Sequence, residues 1–231
     1  MNVQIKDAVF GYLSEPQAEV AGPPPWPGVV VVHDLFGIGD DLCQITDRFA
    51  TAGYLALAPD LYSRGGMARC VKAVFSQLRA ASGRAFDDIE AARSALAGRS
   101  DCTGKIGVVG FCMGGGFALV AAARNFAAAA PYYGMLPKDE SIFDGVCPIV
   151  ASYGARDRGL PGAADTLERA LSRRNVVHDV KEYPLAAHGF ANRIFTGPFS
   201  RMTRIGGFFY HHDSSEDAWR RVLAFFAQHL R

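Results

Sequence analysis

A cysteine between two glycines is the residue of this sequence that most clearly indicates chemistry. Cys112 lies in the segment Gly-Phe-Cys-Met-Gly at residues 110–114, between a predicted strand at 106–109 and a predicted helix at 114–124. A nucleophile on a sharp strand-to-helix turn needs glycines on both sides, because a Cβ there would strike the neighbouring strand or helix. The start of a helix also favours a thiolate over a thiol. The motif therefore predicts Cys112 as a nucleophile.

An aspartate and a histidine follow later strands in the order that a catalytic triad of this kind requires. Asp157 comes just after the predicted strand 149–153, and His188 follows the predicted strand 177–183. The carboxyl ends of parallel strands meet at one edge of a sheet, so we expect all three side chains to converge there. His188 would take the thiol proton and later protonate the leaving group, while Asp157 orients the imidazole. Cys112 would attack a carbonyl and form a thioester that water hydrolyses.

Short β-like runs alternate with helical segments along the chain. This alternation predicts a mostly parallel sheet of seven or eight strands with helices on both faces. The four valines at 29–32 are typical of a buried central strand. Further strands are predicted at 54–58 and 126–130, with antiparallel edge strands before residue 23, and helices are predicted at 42–52, 70–81, 86–97, 163–173 and 217–230.

One segment, residues 194–212, mixes glycine, phenylalanine, arginine and histidine without a clear period. A connection of this length in a compact domain is often a lid or a binding loop. The adjacent His211 and His212, followed by Asp213, resemble metal ligands at first sight. Adjacent residues point to different sides of an extended chain, however, and no further ligands recur at zinc-site spacing. We therefore predict no metal and no cofactor.

Length and composition predict one soluble domain over residues 1–231. The chain is 49% hydrophobic and 20% charged, with a formal net charge of +1, which gives no reason to expect nucleic acid as a partner. No apolar run is long enough for a membrane span, and the N-terminus carries no secretory signal pattern. The five cysteines include no CxxC pair, which is typical of free thiols in a reducing compartment. The predicted location is the cytoplasm, and the oligomeric state is left open.

Six motifs together resemble the dienelactone hydrolase family. They are His-Asp-Leu-Phe-Gly at 33–37, Ala-Pro-Asp-Leu-Tyr at 58–62, Gly-Phe-Cys-Met-Gly-Gly at 110–115, Pro-Tyr-Tyr-Gly at 131–134, Gly-Ala-Arg-Asp at 154–157 and His-Gly-Phe at 188–190. The resemblance covers nearly the whole chain. It implies an α/β-hydrolase fold with a Cys–His–Asp triad that opens enol-lactones or hydrolyses related esters.

The resemblance also implies roles for residues around the triad. The backbone N–H of Leu35 matches the group that completes the family's oxyanion hole with the N–H of Met113, which the turn geometry already points at a developing oxyanion. Tyr132 matches a tyrosine near the family's substrate pocket, although a core position is an equally good interpretation. Phe36 lies near a predicted strand end and is a candidate for lining an apolar substrate pocket.

The chain departs from the family at two positions. Asp34 replaces a glutamate that helps to activate the thiol, and its side chain is shorter by one methylene, roughly 1.5 Å. Asp34 is either a weaker thiol partner or a group that serves only its own loop. Asn192 replaces an arginine that binds the substrate carboxylate, and offers only a neutral donor. Arg193, Arg64 and Arg69 are candidates to compensate.

The leading prediction is an enzyme that hydrolyses a lactone or a small carboxylic ester. Its partner is then a small-molecule ester or lactone, with no nucleic acid and no membrane. A general carboxylesterase or thioesterase is an alternative, which the loss of the arginine at Asn192 favours. A second alternative is a non-catalytic hydrolase-fold protein that binds small molecules or partners. The complete Cys–Asp–His set favours catalysis, because a binding module has no need of all three residues.

Overall fold

The structure is a computed structural model that describes residues 1–193 and 208–231. The predicted α/β architecture, a mostly parallel sheet with helices on both faces, is confirmed. In chain order the elements are β1 (Asn2–Lys6), β2 (Val9–Ser14), α1 (Ala18–Ala21), β3 (Trp26–Val32), α2 (Asp40–Thr51), β4 (Leu55–Pro59), α3 (Met67–Ala80), α4 (Arg84–Ala97), β5 (Cys102–Phe111), α5 (Met113–Ala121), β6 (Ala128–Tyr132), a 3-10 turn (Glu140–Phe143), β7 (Ile149–Gly154), α6 (Ala163–Ser172), β8 (His178–Tyr183) and α7 (His212–Leu230).

The strands form one sheet in the order β1-β2-β4-β3-β5-β6-β7-β8. The strands from β4 to β8 in this order are parallel. β2 runs antiparallel to β4, and β1 antiparallel to β2, as the segment before residue 23 predicts. The carboxyl ends of β3, β5, β6, β7 and β8 therefore lie at the same edge of the sheet, which is where an open α/β sheet places its site.

The valine run of β3 lies between two hydrophobic layers. Val30 and Val32 belong to the core under α3, α4, α5 and α6. Val29 and Val31 belong to the core under α2 and α7. All four are 0% exposed, as expected of a strand covered on both faces. Each such side chain stabilises the fold by about 1.5–3 kcal/mol, so these strands form a rigid base for the loops at their ends.

Among the residues that the structure describes, the two outer strands, β1 and β8, each pair on one side only. On β8, Asp179, Lys181 and Glu182 are exposed to solvent. On β1, the register with β2 shifts between Gln4 and Lys6, so the ladder is irregular there. Both edges therefore carry features that a regular, apolar edge strand lacks.

The last helix begins earlier than its periodicity predicts. α7 starts at His212, inside the segment predicted to be irregular, and the imidazole of His211 caps it by accepting the Ser214 N–H at 3.3 Å. A histidine is not a usual helix cap, which is why the pattern placed the start at residue 217. Residues 194–207 of that segment, with the predicted lid, lie outside the described residues. None of the described helices combines the length and apolar character that crossing a bilayer requires.

Candidate active site

Cys112 lies on a strained turn between β5 and α5. Its backbone has φ 55° and ψ −113°, in the left-handed half of conformational space that residues other than glycine rarely adopt. A Cβ at Gly110 would overlap the Gly114 carbonyl, and a Cβ at Gly114 would overlap the backbone of Val32 on β3. The glycines are therefore required by close backbone contacts, and the turn lifts the thiol above the sheet edge.

His188 joins Asp157 to Cys112 through hydrogen bonds from both ring nitrogens. Nε2 is 3.0 Å from the Cys112 Sγ, and the Nδ1–H donates to Asp157 Oδ2 at 2.6 Å. The other carboxylate oxygen of Asp157 accepts the Gly159 N–H at 2.9 Å, and the residue is only 4% exposed. The three residues predicted from the sequence thus lie in one hydrogen-bonded row.

The surroundings of His188 favour its protonated form. Burial alone would lower the pKa of the imidazole, but the hydrogen bonds and negative charges of Asp157 and Cys112 outweigh burial and raise the pKa to about 10. A protonated imidazole beside the sulfur stabilises a thiolate. The row can therefore hold a nucleophilic sulfur and a proton donor at the same time.

Leu35 and Met113 are both contacted by the hydroxyl of one tyrosine, Tyr62. The Tyr62 hydroxyl donates to the Leu35 carbonyl at 3.0 Å and lies 3.8 Å from the Met113 Sδ. The imidazole of His33, which is 0% exposed, accepts the Leu61 N–H at 3.1 Å. This hydrogen bond holds the segment after β4 that carries Tyr62. Met113 is the first residue of α5, whose N–H has no acceptor within its own helix and can donate to a substrate oxygen.

The Asp34 carboxylate is engaged by its own loop. Oδ1 accepts the Phe36 N–H at 2.7 Å, which closes a local turn. Burial raises the pKa of Asp34 to about 6, although the hydrogen bond from Phe36 acts in the opposite direction. Asp34 also lines a cavity together with Cys112 and His188. Asp34 therefore makes the contact within its own loop that was one of its two predicted roles. Its carboxyl group also lies at the cavity that Cys112 lines.

Two cavities meet at Cys112 and His188. The larger cavity has a volume of about 430 Å³, and Arg158 is a cation among its described lining residues. Most of its other lining side chains are apolar or aromatic: Phe75, Leu78, Met113, Tyr133, Met135, Leu160 and Phe208. The smaller, about 200 Å³, is lined by Asp34, Leu35, Phe36, Gly189, Asn192 and Phe208. A carbonyl carbon at the sulfur would therefore have room for one substituent on each side.

The tyrosine beside the larger cavity is Tyr133 and not Tyr132. Tyr132 is 2% exposed and stacks on Phe111 with ring centroids 4.8 Å apart, so it occupies the core position that was the alternative. β6 ends at Tyr132, two residues later than predicted, so Tyr132 lies within the strand and Tyr133 directly follows it. Phe36 is 56% exposed and lines the smaller cavity, and its role in substrate binding stays a prediction.

Comparison with known proteins now gives the family. The sequence pattern that defines the dienelactone hydrolase family matches residues 9–230. The chain belongs to the dienelactone hydrolase family. The resemblance carried by the six motifs is confirmed, and with it the prediction that this protein is a hydrolase.

Individual members of the dienelactone hydrolase family match most of the chain. A Yersinia pestis protein provisionally named carboxymethylenebutenolidase is 29% identical over 241 residues, covering 96% of this chain and 85% of its own. An Escherichia coli K12 protein of the same provisional name is 30% identical over 223 residues, covering 89% and 78%. A solved Klebsiella pneumoniae structure, provisionally named dienelactone hydrolase, has a TM-score of 0.74 at 28% identity, covering 95% and 93%.

At the position of the family's arginine, Asn192 is bonded within the protein. Nδ2 donates to Asp41 Oδ2 at 2.8 Å, and Oδ1 accepts from the Tyr133 hydroxyl. The residue is 2% exposed. Arg193 is exposed, its backbone N–H donates to Asp41 Oδ1 at 3.0 Å, and its guanidinium lies 5.4 Å from the centre of the Tyr210 ring. The two predicted substrate-binding residues are thus both anchored to Asp41.

Of the candidate compensating cations, neither Arg64 nor Arg69 is among the described residues that line the two cavities of this dienelactone hydrolase family member. Arg64 donates to Asp88 Oδ1 on α4 at 2.8 Å, and Arg69 lies in the first turn of α3. Arg158, which lines the larger cavity, was not singled out from the sequence. Its signal was present, because Arg158 directly follows Asp157 at a strand end.

Within residues 1–193 and 208–231, no group of three or more histidine, cysteine, aspartate or glutamate residues is arranged to hold a metal. His211 caps α7 through Ser214, and the His212 imidazole is 3.3 Å from the Tyr210 hydroxyl. The two histidines therefore have separate local partners.

Proposed function

We propose that this member of the dienelactone hydrolase family cleaves a lactone or a small carboxylic ester through a thioester formed on Cys112. The observation that carries the proposal is the hydrogen-bonded row in which His188 lies 3.0 Å from the Cys112 Sγ and 2.6 Å from Asp157 Oδ2. The row stands at the meeting point of two cavities. A nucleophile, a proton donor and space for both parts of an ester are the requirements of acyl transfer.

The proposed reaction begins with attack of the Cys112 thiolate on the carbonyl carbon. The backbone N–H groups of Leu35 and Met113 stabilise the oxyanion of the tetrahedral intermediate. Protonated His188 then gives its proton to the leaving alkoxide as the C–O bond breaks, and Asp157 holds the imidazole in place. A water molecule, deprotonated by His188, attacks the thioester, and the carboxylic acid leaves while the sulfur is restored.

A general carboxylesterase or thioesterase is the second candidate for the same chemistry. Asn192 is engaged by Asp41 and Tyr133 and carries no charge, so it does not supply the cation that binds a substrate carboxylate. The described walls of both cavities are mostly apolar. These observations favour an uncharged ester, whereas Arg158 in the larger cavity favours an acidic substrate.

Hydrolysis of p-nitrophenyl acetate and of a cis-dienelactone tests both candidates. We expect Cys112→Ala to lose at least about 10³-fold in kcat, while Cys43→Ala, a half-buried cysteine on α2, keeps wild-type activity. Cleavage of the lactone would identify a lactonase, and cleavage of the aryl ester alone would identify an esterase. If Cys112→Ala cleaves as fast as the wild type, Cys112 is not the nucleophile and the proposal fails. If the wild type cleaves neither compound, the binding-protein alternative replaces the proposal.

We also propose a cytoplasmic location. The five cysteines are free, and a reducing compartment preserves free thiols. Cell fractionation with activity as the readout tests this, and activity found only outside the cytoplasm would contradict it.

A further inference from the structure

The Asn192 amide connects three distant parts of the chain. Its Oδ1 accepts from the hydroxyl of Tyr133, which follows β6, and its Nδ2 donates at 2.8 Å to Asp41 in the first turn of α2. Asn192 itself lies on the loop that follows His188. Because the side chain is 2% exposed, its partners are protein groups and not bulk water.

The same contacts hold the far end of the loop that carries His188. The Asn192 N–H donates to the Gly189 carbonyl at 3.0 Å and closes a turn directly after the histidine. The Arg193 N–H donates to Asp41 Oδ1 at 3.0 Å. Asp41 thus binds two successive residues of the loop.

The ring of Tyr133 connects these hydrogen bonds to the imidazole, because it packs against His188. Its ring centroid is 5.2 Å from that of His188 and 5.2 Å from that of Phe190. The residue is 0% exposed, has φ 37°, and donates its N–H to the Ser152 carbonyl at 2.8 Å. The ring is therefore fixed to β7 at its backbone and to Asn192 at its hydroxyl, and the imidazole packs against it.

The direction of the hydrogen bonds sets the orientation of the amide. The phenol donates to Oδ1, so Nδ2 faces the Asp41 carboxylate. The N-terminus of α2 stabilises that negative charge. An asparagine is the residue that accepts on one side and donates on the other, whereas a carboxylate at this position would repel Asp41.

We propose that Asn192 is a positioning residue, which holds His188 between Asp157 and Cys112 through its contacts with Tyr133 and Asp41. The inference rests on the proposed function only where hydrolysis is the readout. A misplacement of about 1 Å in a reacting group costs about 100-fold in rate, so loosening this loop should affect chemistry more than binding.

The test is an exchange of the two interacting groups. In Asn192→Asp two carboxylates face each other, and in the double variant Asp41→Asn, Asn192→Asp the donor and acceptor are restored in reverse order. We expect Asn192→Asp to lower kcat for p-nitrophenyl acetate at least about 10-fold with KM within about twofold. Alkylation of Cys112 by iodoacetamide near neutral pH should slow by a similar factor, and the double variant should recover most of both losses.

Alkylation needs no turnover, so it separates this inference from the proposed function. Hydrolysis by Cys112→Ala would refute the proposed function, while the alkylation rates would still decide the role of Asn192. Unchanged alkylation and kcat in folded Asn192→Asp, with only a lower Tm, would overturn the inference, as would no recovery in the double variant. If Asn192→Asp fails to fold, Tyr133→Phe removes only the hydroxyl, and we expect it to slow alkylation about threefold or more; an unchanged rate would again overturn the inference.

Discussion

At the scale of single residues, the surroundings of the cysteines differ in how strongly they disfavour the thiolate. Burial raises the pKa of the Cys147 thiol to about 12, and burial also raises the pKa values of Cys43 and Cys102 above their usual range. Cys112 instead has the Nε2 of His188 at 3.0 Å. Among these four cysteines, Cys112 beside the imidazole should therefore be the most reactive, because the thiolate is the nucleophile.

Limiting iodoacetamide at about pH 6.5 should modify Cys112 before Cys43, Cys102 or Cys147. The expected ratio of rates is at least about 10-fold, since thiols with raised pKa values remain protonated at this pH. Peptide mass spectrometry measures the ratio. The control is His188→Gln, which should bring the Cys112 rate close to the others; equal labelling of all four in the wild type would contradict the prediction.

Local motifs predicted some of these residues, and others depend on contacts that no motif contains. Cys112 is identified by glycines two positions away on each side, because the constraint on its turn is local. The partnership of Asn192 with Asp41 joins residues 151 positions apart, so only the folded chain brings it into view. Asn192 was predicted as a substrate contact because it stands where the family resemblance implies an arginine, while its observed partners lie within the protein.

At the scale of elements, the junction of β5 and α5 leaves no room for a side chain. A Cβ at Gly114 would overlap the carbonyl oxygens of Val32 and His33, which belong to backbone and cannot move aside as a side chain can. At Gly98, which ends α4 with φ −79°, a Cβ would meet the Ser94 carbonyl at 3.4 Å, an ordinary contact.

Gly114→Ala should therefore destabilise the protein by about 3 kcal/mol or more. For a chain of this length, about 3 kcal/mol corresponds to a fall in Tm of roughly 6–12 °C. Gly98→Ala, the matched control, should stay within about 0.5 kcal/mol of wild type. Thermal unfolding followed by circular dichroism gives both values. Similar Tm values for the two variants would show that the backbone at the junction shifts to accommodate the methyl group at low cost.

Element boundaries show where periodicity stops being informative. The predicted strand at 126–130 is β6, Ala128–Tyr132, in the structure. Pro131 favours an end before it, since it lacks an N–H, yet it pairs in register with Gly110 on β5. The role predicted for Tyr132 came from the family resemblance; in the structure Tyr132 is the last residue of β6, and Tyr133 follows it at the larger cavity. The valine run of β3 was placed correctly, because a continuous apolar run has one stable location in a sheet covered on both faces.

At the scale of the whole molecule, we propose that residues 1–231 form a single domain. Both hydrophobic cores pack on the same sheet, one on each face. Charge at the site should then affect the stability of the entire fold, because a single domain of this kind unfolds as one unit.

Asp34 is such a charge. Burial raises the pKa of this carboxyl from 3.8 to about 6, so ionisation costs more in the folded than in the unfolded chain. Its destabilising effect is absent below about pH 4, grows between pH 4 and 6, and is constant above. Asp34→Asn keeps an acceptor for the Phe36 N–H and should be nearly neutral at pH 4 but stabilising at pH 8, by on the order of 2 kcal/mol.

Urea unfolding at pH 4, 6 and 8 measures this difference. Asp165→Asn, an exposed aspartate in the first turn of α6, is the matched control and should show no such rise with pH. If Asp34→Asn raises the free energy of unfolding equally at every pH, the prediction is wrong. The carboxyl would then be solvated in the folded state, and burial would not control its ionisation.

The outer strands of the sheet bear on how this protein behaves at high concentration in a cell. A strand with a free row of N–H and C=O groups is a template on which another chain can add, and long additions of this kind lead to fibres. On β8, Asp179, Lys181 and Glu182 would each have to be desolvated against an incoming strand, and on β1 the shifted register would not match a straight one. Copies whose sheet has formed should therefore resist joining edge to edge at high concentration.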